Sequence, residues 1–335
     1  MKFCSAPWDT ISINPVGEVR ACLCGAWNSA GVLGNLLTMD MEQIMLSPNS
    51  RSLRDSVVDQ TFSRCNSICP VIWQLPEINS VPRVDQYQLP TTILLAIDQR
   101  CNLRCASCRA TNVFNDLVDP VAARILDRMV EAYRVQDAPV TLQMDGAGDL
   151  FASRTYREFM ARADLPDCFR YHIITNGNLV MKNQSLLVGL RDRMVSVDVS
   201  LDAATAGTYT AVRGGRFDLV LQGIEWMLAQ GLRVNISFVV QQQNHREMLA
   251  CWHRVSAMGC HSINFQGIIR WPHMSDAWWA DNRLEHNDSV DTALLCEQLR
   301  ELDQAPRQVD FTGGGGLCPV HINGTLRQWI QQRPI

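Results

Sequence analysis

Cys101, Cys105 and Cys108 lie in one run, Cys101-Asn102-Leu103-Arg104-Cys105-Ala106-Ser107-Cys108, directly after the apolar stretch Thr91-Thr92-Ile93-Leu94-Leu95-Ala96-Ile97. Thiolates at this spacing are soft donors suited to iron-sulfur clusters or zinc. A cubane 4Fe-4S cluster is normally closed by four cysteines, so a loop offering three leaves one iron open. An open iron can bind a ligand and do chemistry, by the logic that separates catalytic from structural zinc sites. A zinc ribbon short of its fourth ligand is the plainer alternative.

A second group of cysteines, Cys4, Cys22, Cys24, Cys65 and Cys69, falls within residues 1–89, a segment with sparse helical periodicity and frequent turn residues. So small a segment has little core of its own, and a metal site would help it fold. Ile11-Ser12-Ile13 and Glu18-Val19-Arg20-Ala21-Cys22 flank Asn14-Pro15-Val16-Gly17, which predicts a β-hairpin with glycine where φ is positive. That hairpin would bring Cys4 and Cys22 toward each other, and Cys65 and Cys69, one helical turn apart, could supply two further ligands, for a structural zinc ion or an iron-sulfur cluster.

The elements that must position these groups follow from residue 90 onward. Six β-rich apolar runs, 92–98, 140–145, 171–175, 195–201, 232–240 and 263–269, alternate with stretches of helical period. This is the pattern of repeated βα units and a parallel sheet. Asp119-Pro120 caps a helix with Ala122, Ile125, Leu126 and Met129 on one face, and 217–229 reads as another. Six units are too few for an eight-stranded barrel, so the expected fold class is α/β, a partial (β/α)6 TIM-like barrel with a small cysteine-rich N-terminal domain. Reactive groups then belong at the C-terminal ends of the strands, where the Cys101 loop falls. The expected domains are 1–89, 90–270 and a C-terminal extension, 271–335, with a helix and a short hairpin at Val320-His321-Ile322-Asn323-Gly324-Thr325-Leu326.

The chain has 335 residues, 13 cysteines and a net charge of −4. Its first residues lack the apolar run of a signal peptide, and no uncharged stretch approaches a bilayer span. A cytoplasmic protein with no membrane partner is the expectation, and there thirteen cysteines speak for metal ligation or redox work. With no long basic run there is no nucleic-acid footprint.

Taken together these motifs resemble the radical S-adenosylmethionine enzymes, in the branch carrying a SPASM or shorter "twitch" auxiliary-cluster domain. Cys101-x3-Cys105-x2-Cys108 after the first strand matches the family's cluster motif. The resemblance implies a 4Fe-4S cluster whose open iron is chelated by S-adenosylmethionine, and reductive cleavage to a 5'-deoxyadenosyl radical. Gly146-Ala147-Gly148-Asp149 is similar to the family's glycine-glycine-glutamate motif for the methionine amino group, with Ala147 and Asp149 departing from the commoner residues. Asn176, Ser200, Asp202, Arg213 and Gln266, at or beyond strand ends, are implied as further cofactor contacts, and an arginine fork suits a carboxylate. Asn176-Gly177 and Gln241 to Asn244 are weaker matches. Ser107 stands where many relatives carry an aromatic residue. Cys4-x12-Gly17-x4-Cys22, Gly34-Asn35-Leu36 and Cys65-x3-Cys69 resemble the twitch pattern, implying a second, auxiliary 4Fe-4S cluster on Cys4, Cys22, Cys65 and Cys69. Cys24 is a surplus thiolate, and this domain precedes the barrel rather than following it.

The resemblance implies hydrogen abstraction from an unactivated carbon, fed by a flavodoxin- or ferredoxin-type reductant. Net oxidation of a carbohydrate-like or other small polar substrate, with the auxiliary cluster accepting the electron, is the first expectation. Alternatives are epimerisation of a sugar or peptide centre with a thiol donor such as Cys318, modification of a ribosomal peptide, and a non-catalytic electron carrier. Cys168, Cys251, Cys260 and Cys296 read as buried spacers. Arg270-Trp271-Pro272-His273-Met274 and Trp278-Trp279 follow the sixth run and form either a packing cluster or a pocket wall.

Overall fold

A computed structural model describes residues 1–22, 31–65, 69, 72, 75, 77–78, 88–108, 113–144, 148–271, 273–305, 318–323 and 326. It divides into two compact units, Met1–Arg100 with Asn115–Ile173, and Cys101–Phe114 with Ile174–Ile335.

The first unit opens with α1 (Ala6–Asp9), β1 (Thr10–Ile13), β2 (Glu18–Ala21), β3 (Gly34–Asn35), α2 (Met41–Met45) and α3 (Pro48–Val58). It continues with β4 (Thr92–Leu95), α4 (Pro120–Tyr133), β5 (Val140–Met144), α5 (Arg154–Met160) and β6 (Phe169–Thr175), whose last two residues belong to the second unit. Strand order here is β3-β2-β1-β4-β5-β6. The hairpin forms as the sequence predicts, with Ile11 opposite Ala21 and Ile13 opposite Val19. Its first strand also pairs in parallel with β4, Ile11 against Ile93, so the cysteine-rich segment extends the parallel sheet. Gly17 has φ +81°, and a Cβ there would stand 2.8 Å from Asn35 Oδ1, which explains why this turn takes glycine. Asp119 caps α4 by accepting from the Val121 and Ala122 amides, with Pro120 at the first helical position. The buried face of α4 carries the expected Ala122, Ile125, Leu126 and Met129.

The second unit holds the loop 101–114, then α6 (Gln184–Gly189), β7 (Met194–Ser200), α7 (Ala206–Arg213), α8 (Phe217–Ala229), β8 (Val234–Val240), α9 (Met248–Met258), β9 (Ser262–Gly267), α10 (Asp276–Asn282), α11 (Thr292–Asp303) and β10 (Val320–Ile322). The order is β7-β8-β9-β10 with all pairings parallel. Its core is built from alternate strand residues, including Val197, Val199, Ile236, Phe238, Ile263 and Phe265. The polar residues between them, such as Asn235, Ser237, Asn264 and Gln266, are half-buried on the other face.

All six expected runs are strands, β4 to β9, and the fold is the expected α/β architecture with a mostly parallel sheet. The tail differs from expectation. Val320–Ile322 is a strand, but it pairs in parallel with β9 through Val320 opposite Ile263, rather than forming a hairpin. The Asn-Gly turn suggested local pairing; the apolar Val320 and Ile322 instead find a partner in the edge of β9. Gly324 and Thr325 lie outside the described residues, as do Cys24 and the glycine run 313–316. Among the described residues no helix is long and apolar enough to cross a membrane.

Candidate active site

Within the second unit the three-cysteine loop is fixed by its own backbone. The Cys101 amide donates to the Val113 carbonyl at 3.0 Å and the Cys108 amide to the Cys105 carbonyl at 3.1 Å. The Leu103 amide points at Cys101 Sγ, 3.5 Å away. Asn176, just past β6, donates from Nδ2 to Asn102 Oδ1 at 2.9 Å and lies 3.9 Å from Cys101 Sγ. None of the described cysteines is in a disulfide; Cys101 and Cys105 are half-buried and Cys108 is exposed.

At the ends of β7 and β8 a buried ion pair stands beside this loop. Arg213 Nη1 meets Asp202 Oδ2 at 2.7 Å, with the arginine side chain 14% and the aspartate 3% exposed. Asp202 adopts φ +54°, a conformation costly for a residue with a Cβ. It is held there by the Val239 amide on Oδ1 at 2.6 Å and by Asn244 Nδ2 on its carbonyl at 2.9 Å. Burial alone lowers Arg213, but Asp202 and Cys105 raise it further, so the guanidinium stays charged. Burial pushes the Cys105 thiol up, and the same guanidinium pulls it back toward thiolate. Gly214 ends α7 with φ +70°, and Gly215 has Leu103 Cδ2, Tyr209 Cε1 and Asn178 Oδ1 each 3.0 Å from where a Cβ would sit. The end of α7 therefore packs directly on the cysteine loop. Tyr209, pushed up to about 12 by burial, accepts from Asn178 Nδ2 at 2.7 Å.

The other end of α7 is held by Glu247. Its Oε2 accepts the Ala204 and Thr205 amides at 2.6 and 3.1 Å, and its Oε1 accepts the Thr205 and Thr208 hydroxyls at 2.8 and 2.6 Å. Ser200 closes β7 opposite Ser237, and Gln266 lies in β9 opposite Val239.

In the first unit, Gly148 and Asp149 wrap the residue that precedes Cys101. The Asp149 amide donates to the Arg100 carbonyl at 2.8 Å, and a Cβ on Gly148 would overlap that same oxygen. Asp149 itself is buried and accepts from the Phe151 amide at 3.1 Å. Arg100 forks onto both oxygens of buried Asp98 at 2.9 and 3.0 Å, and Ser153 Oγ donates to Asp98 at 2.6 Å. Gly146 and Ala147 lie outside the described residues.

The N-terminal cysteines Cys4, Cys22, Cys65 and Cys69 are all half-buried. Cys4 is pushed up by burial, pulled down by the Ala6 amide and pushed up again by Cys69, so these two sulfurs feel one another. Cys22 has φ +69°, with its amide on the Thr10 carbonyl at 2.8 Å. Phe3 and Trp8 pair at 5.2 Å beside Cys4, and the Arg54 guanidinium lies 5.7 Å over the Trp8 ring.

Cys318 is not brought to the strand ends where Ser200, Asp202 and Gln241 lie. It precedes β10, hence sits at the N-terminal ends of the parallel strands, 2% exposed. Ser256 Oγ is 3.3 Å from its sulfur, and Trp252 Nε1 donates to its carbonyl at 2.9 Å. Glu247, Tyr209, Asn178 and the Asp98-Arg100 pair were not legible as site residues, because their partners lie up to tens of residues away and no local motif marks them.

The residues present fit an iron-sulfur cluster with a polar ligand. Two buried polar atoms here, Arg213 Nε and Gln241 Oε1, have no partner among the described residues, and such atoms are normally satisfied by water, an ion or a ligand. Among the described residues no three His, Cys, Asp or Glu side chains converge as around a single ion; a cubane spreads its thiolates over separate corners.

Residues 4–70 match the SPASM family model, described as an iron-sulfur cluster-binding domain. The chain is 31% identical over 258 residues to GTP 3',8-cyclase of Paracoccus denitrificans, covering 72% of this chain and 73% of the cyclase. It is 26% identical over 218 residues to Fe-coproporphyrin III synthase of Methanosarcina barkeri, 62% of this chain and 51% of the synthase. In fold it resembles Streptococcus suis SuiB bound to S-adenosylmethionine, with a TM-score of 0.52 at 13% identity, over 73% of this chain and 53% of SuiB. The chain thus spans only about half the length of the last two proteins. S-adenosylmethionine, a radical-forming 4Fe-4S cluster and an auxiliary SPASM iron-sulfur cluster are its cofactors. On the cyclase match, the SPASM match and the fold, the chain belongs to the radical S-adenosylmethionine enzyme family, with its SPASM domain at the N-terminal end.

Proposed function

We propose that the chain oxidises a small polar, carbohydrate-like substrate by hydrogen abstraction, with the N-terminal domain as a twitch-type electron-accepting site. When bound, the cofactors supply a carbon-centred radical for the abstraction and an acceptor for the electron left on the substrate. Cys101, Cys105 and Cys108 hold the radical-forming cluster. Gly148 lets the backbone close on Arg100, and Asp149, in the segment Gly146 to Asp149, serves the methionine amino group. Ser200, Asp202, Asn176 and Gln266 line the cofactor and substrate side, and the Arg213 guanidinium receives the methionine carboxylate on its unpartnered edge. Cys4, Cys22, Cys65 and Cys69 ligate the auxiliary cluster, and a reductant of flavodoxin or ferredoxin type feeds the first cluster.

The observation that carries this reading is the presence of two cysteine sets with different surroundings. In the loop set Cys105 feels the Arg213 guanidinium, whose buried Nε has no partner among the described residues, which suits a cluster that binds a charged ligand. The N-terminal set offers four half-buried thiols, enough to close every iron of a cubane, as suits an electron-transfer cluster. The burial of Cys318 at the opposite strand ends speaks against a thiol hydrogen donor there. Anaerobic turnover in deuterated solvent tests the outcome: the oxidation reading expects one 5'-deoxyadenosine per oxidised product and no solvent deuterium at the reacting carbon. Deuterium at an inverted centre, lost in Cys318→Ala, contradicts it.

A further inference from the structure

Beyond the end of β9 the second unit folds over a cavity of about 230 Å³. Gly267 and Ile268 form one wall, Trp279, Arg283 and Leu284 another, and Leu326 borders it too. This is the stretch of arginines and tryptophans that follows the sixth strand, and it lies at the strand ends that carry the site. Gly267 pairs with Val240, the residue before Gln241, and Gln266 pairs with Val239, whose amide holds the Asp202 carboxylate. Neighbouring strands stand about 4.8 Å apart, so β9, whose end the cavity adjoins, is roughly two strand spacings from β7, which leads into Asp202.

The walls are held rather than loose. The Arg283 amide donates to the Trp279 carbonyl at 2.9 Å, closing α10. Asn287 Nδ2 ties the Asp281 and Arg283 carbonyls at 2.9 and 3.0 Å, and the Gln242 amide reaches the Asn282 carbonyl at 3.0 Å. Arg283 Nη2 donates to the His286 carbonyl at 3.3 Å. Its Nε is buried with no partner among the described residues. Arg270, also in the wall, is already matched by Asp276. Glu285 stands exposed at the rim, where water screens it.

We infer that this cavity is a substrate subsite for a carboxylate carried on an apolar body, with the carboxylate received by Arg283. Arg283 stands in the cavity wall with a planar guanidinium whose geometry suits a carboxylate, and Ile268, Leu284, Leu326 and Trp279 supply the apolar walls. The volume is below the range of about 300–1,000 Å³ typical of whole drug-sized ligands. It takes one residue-sized piece of a substrate whose reacting carbon lies nearer Asp202. The inference rests on the radical S-adenosylmethionine reading of the neighbouring site.

The test uses the iron-loaded, anaerobic protein with S-adenosylmethionine, and 3-phenylpropanoate against 3-phenylpropanamide as probes, followed by calorimetric titration. The acid binds at least about tenfold more tightly than the amide, which corresponds to about 1.4 kcal/mol. Arg283→Gln removes that preference, while Ile268→Trp, which fills the cavity and leaves the arginine, weakens both probes. Equal binding of acid and amide, no binding of the acid, or an acid preference that survives both substitutions overturns the subsite. Formation of 5'-deoxyadenosine after dithionite is added to the same samples separates the two levels: cleavage without acid preference sinks the subsite alone, and absence of cleavage from the reduced protein sinks the reading beneath it.

Discussion

Asp202 is the residue on which the second unit's site turns. It sits in a left-handed conformation, pairs with Arg213 and takes the Val239 amide, so three elements meet on one side chain. Replacing it by asparagine keeps the shape but leaves a buried arginine without its counter-charge, which costs about 3 kcal/mol. Denaturant unfolding of the iron-loaded variant checks this, and a change below about 1 kcal/mol would show the pair to be solvent-screened. Gly148→Ala is the matching test in the first unit. A methyl there overlaps the Arg100 carbonyl, so the expected result is disturbed iron loading and lost S-adenosylmethionine binding, read by cluster absorbance and equilibrium dialysis. Normal binding would show that the backbone can yield.

At the scale of elements, α7 is suspended between two supports, Glu247 at its start and the cysteine loop at its end. Glu247→Gln weakens charged hydrogen bonds to two amides and two hydroxyls, for a loss of about 1–2 kcal/mol and weaker S-adenosylmethionine binding, because α7 positions Arg213. Unchanged affinity would free α7 of that role. His245 sets a pH dependence nearby. Its Nδ1 meets the Gln242 carbonyl at 2.6 Å and its Nε2 accepts the Asp291 amide at 3.1 Å, so the ring is neutral and caps the start of α11. Burial lowers it below its ordinary value. The unfolded chain therefore takes up this proton first as pH falls, and stability is lost as pH drops below about 6.5. His245→Gln should flatten the pH dependence of unfolding between about pH 7 and 5.

The six strands, the capped helix α4 and the N-terminal hairpin were legible because each is written locally: alternating or continuous apolar runs, Asp119-Pro120, and a turn ending in Gly17. The tail strand was not, since Val320 to Ile322 takes its partner from β9, far back in the chain, while the adjacent Asn-Gly pair argued for a hairpin. The cysteine sets stand out by their spacing, and Asp202 and Arg213 by the resemblance to the radical S-adenosylmethionine enzymes. Glu247 and Tyr209 were not legible, because their roles exist only once α7 is packed.

For the whole molecule, one chain carries two thiolate sets of different character. The SPASM segment lies ahead of the barrel strands and joins their sheet through β1 and β4. In the proposed reading, radical formation falls to the loop set and electron acceptance to the N-terminal set. The most direct measurement is anaerobic iron and sulfide counting on the purified protein and on the variant with Cys101, Cys105 and Cys108 all changed to alanine. Two cubane clusters predict about eight irons in the parent, and about four in the variant, which no longer cleaves S-adenosylmethionine. A variant with no iron, or a parent with only about four, would contradict the account.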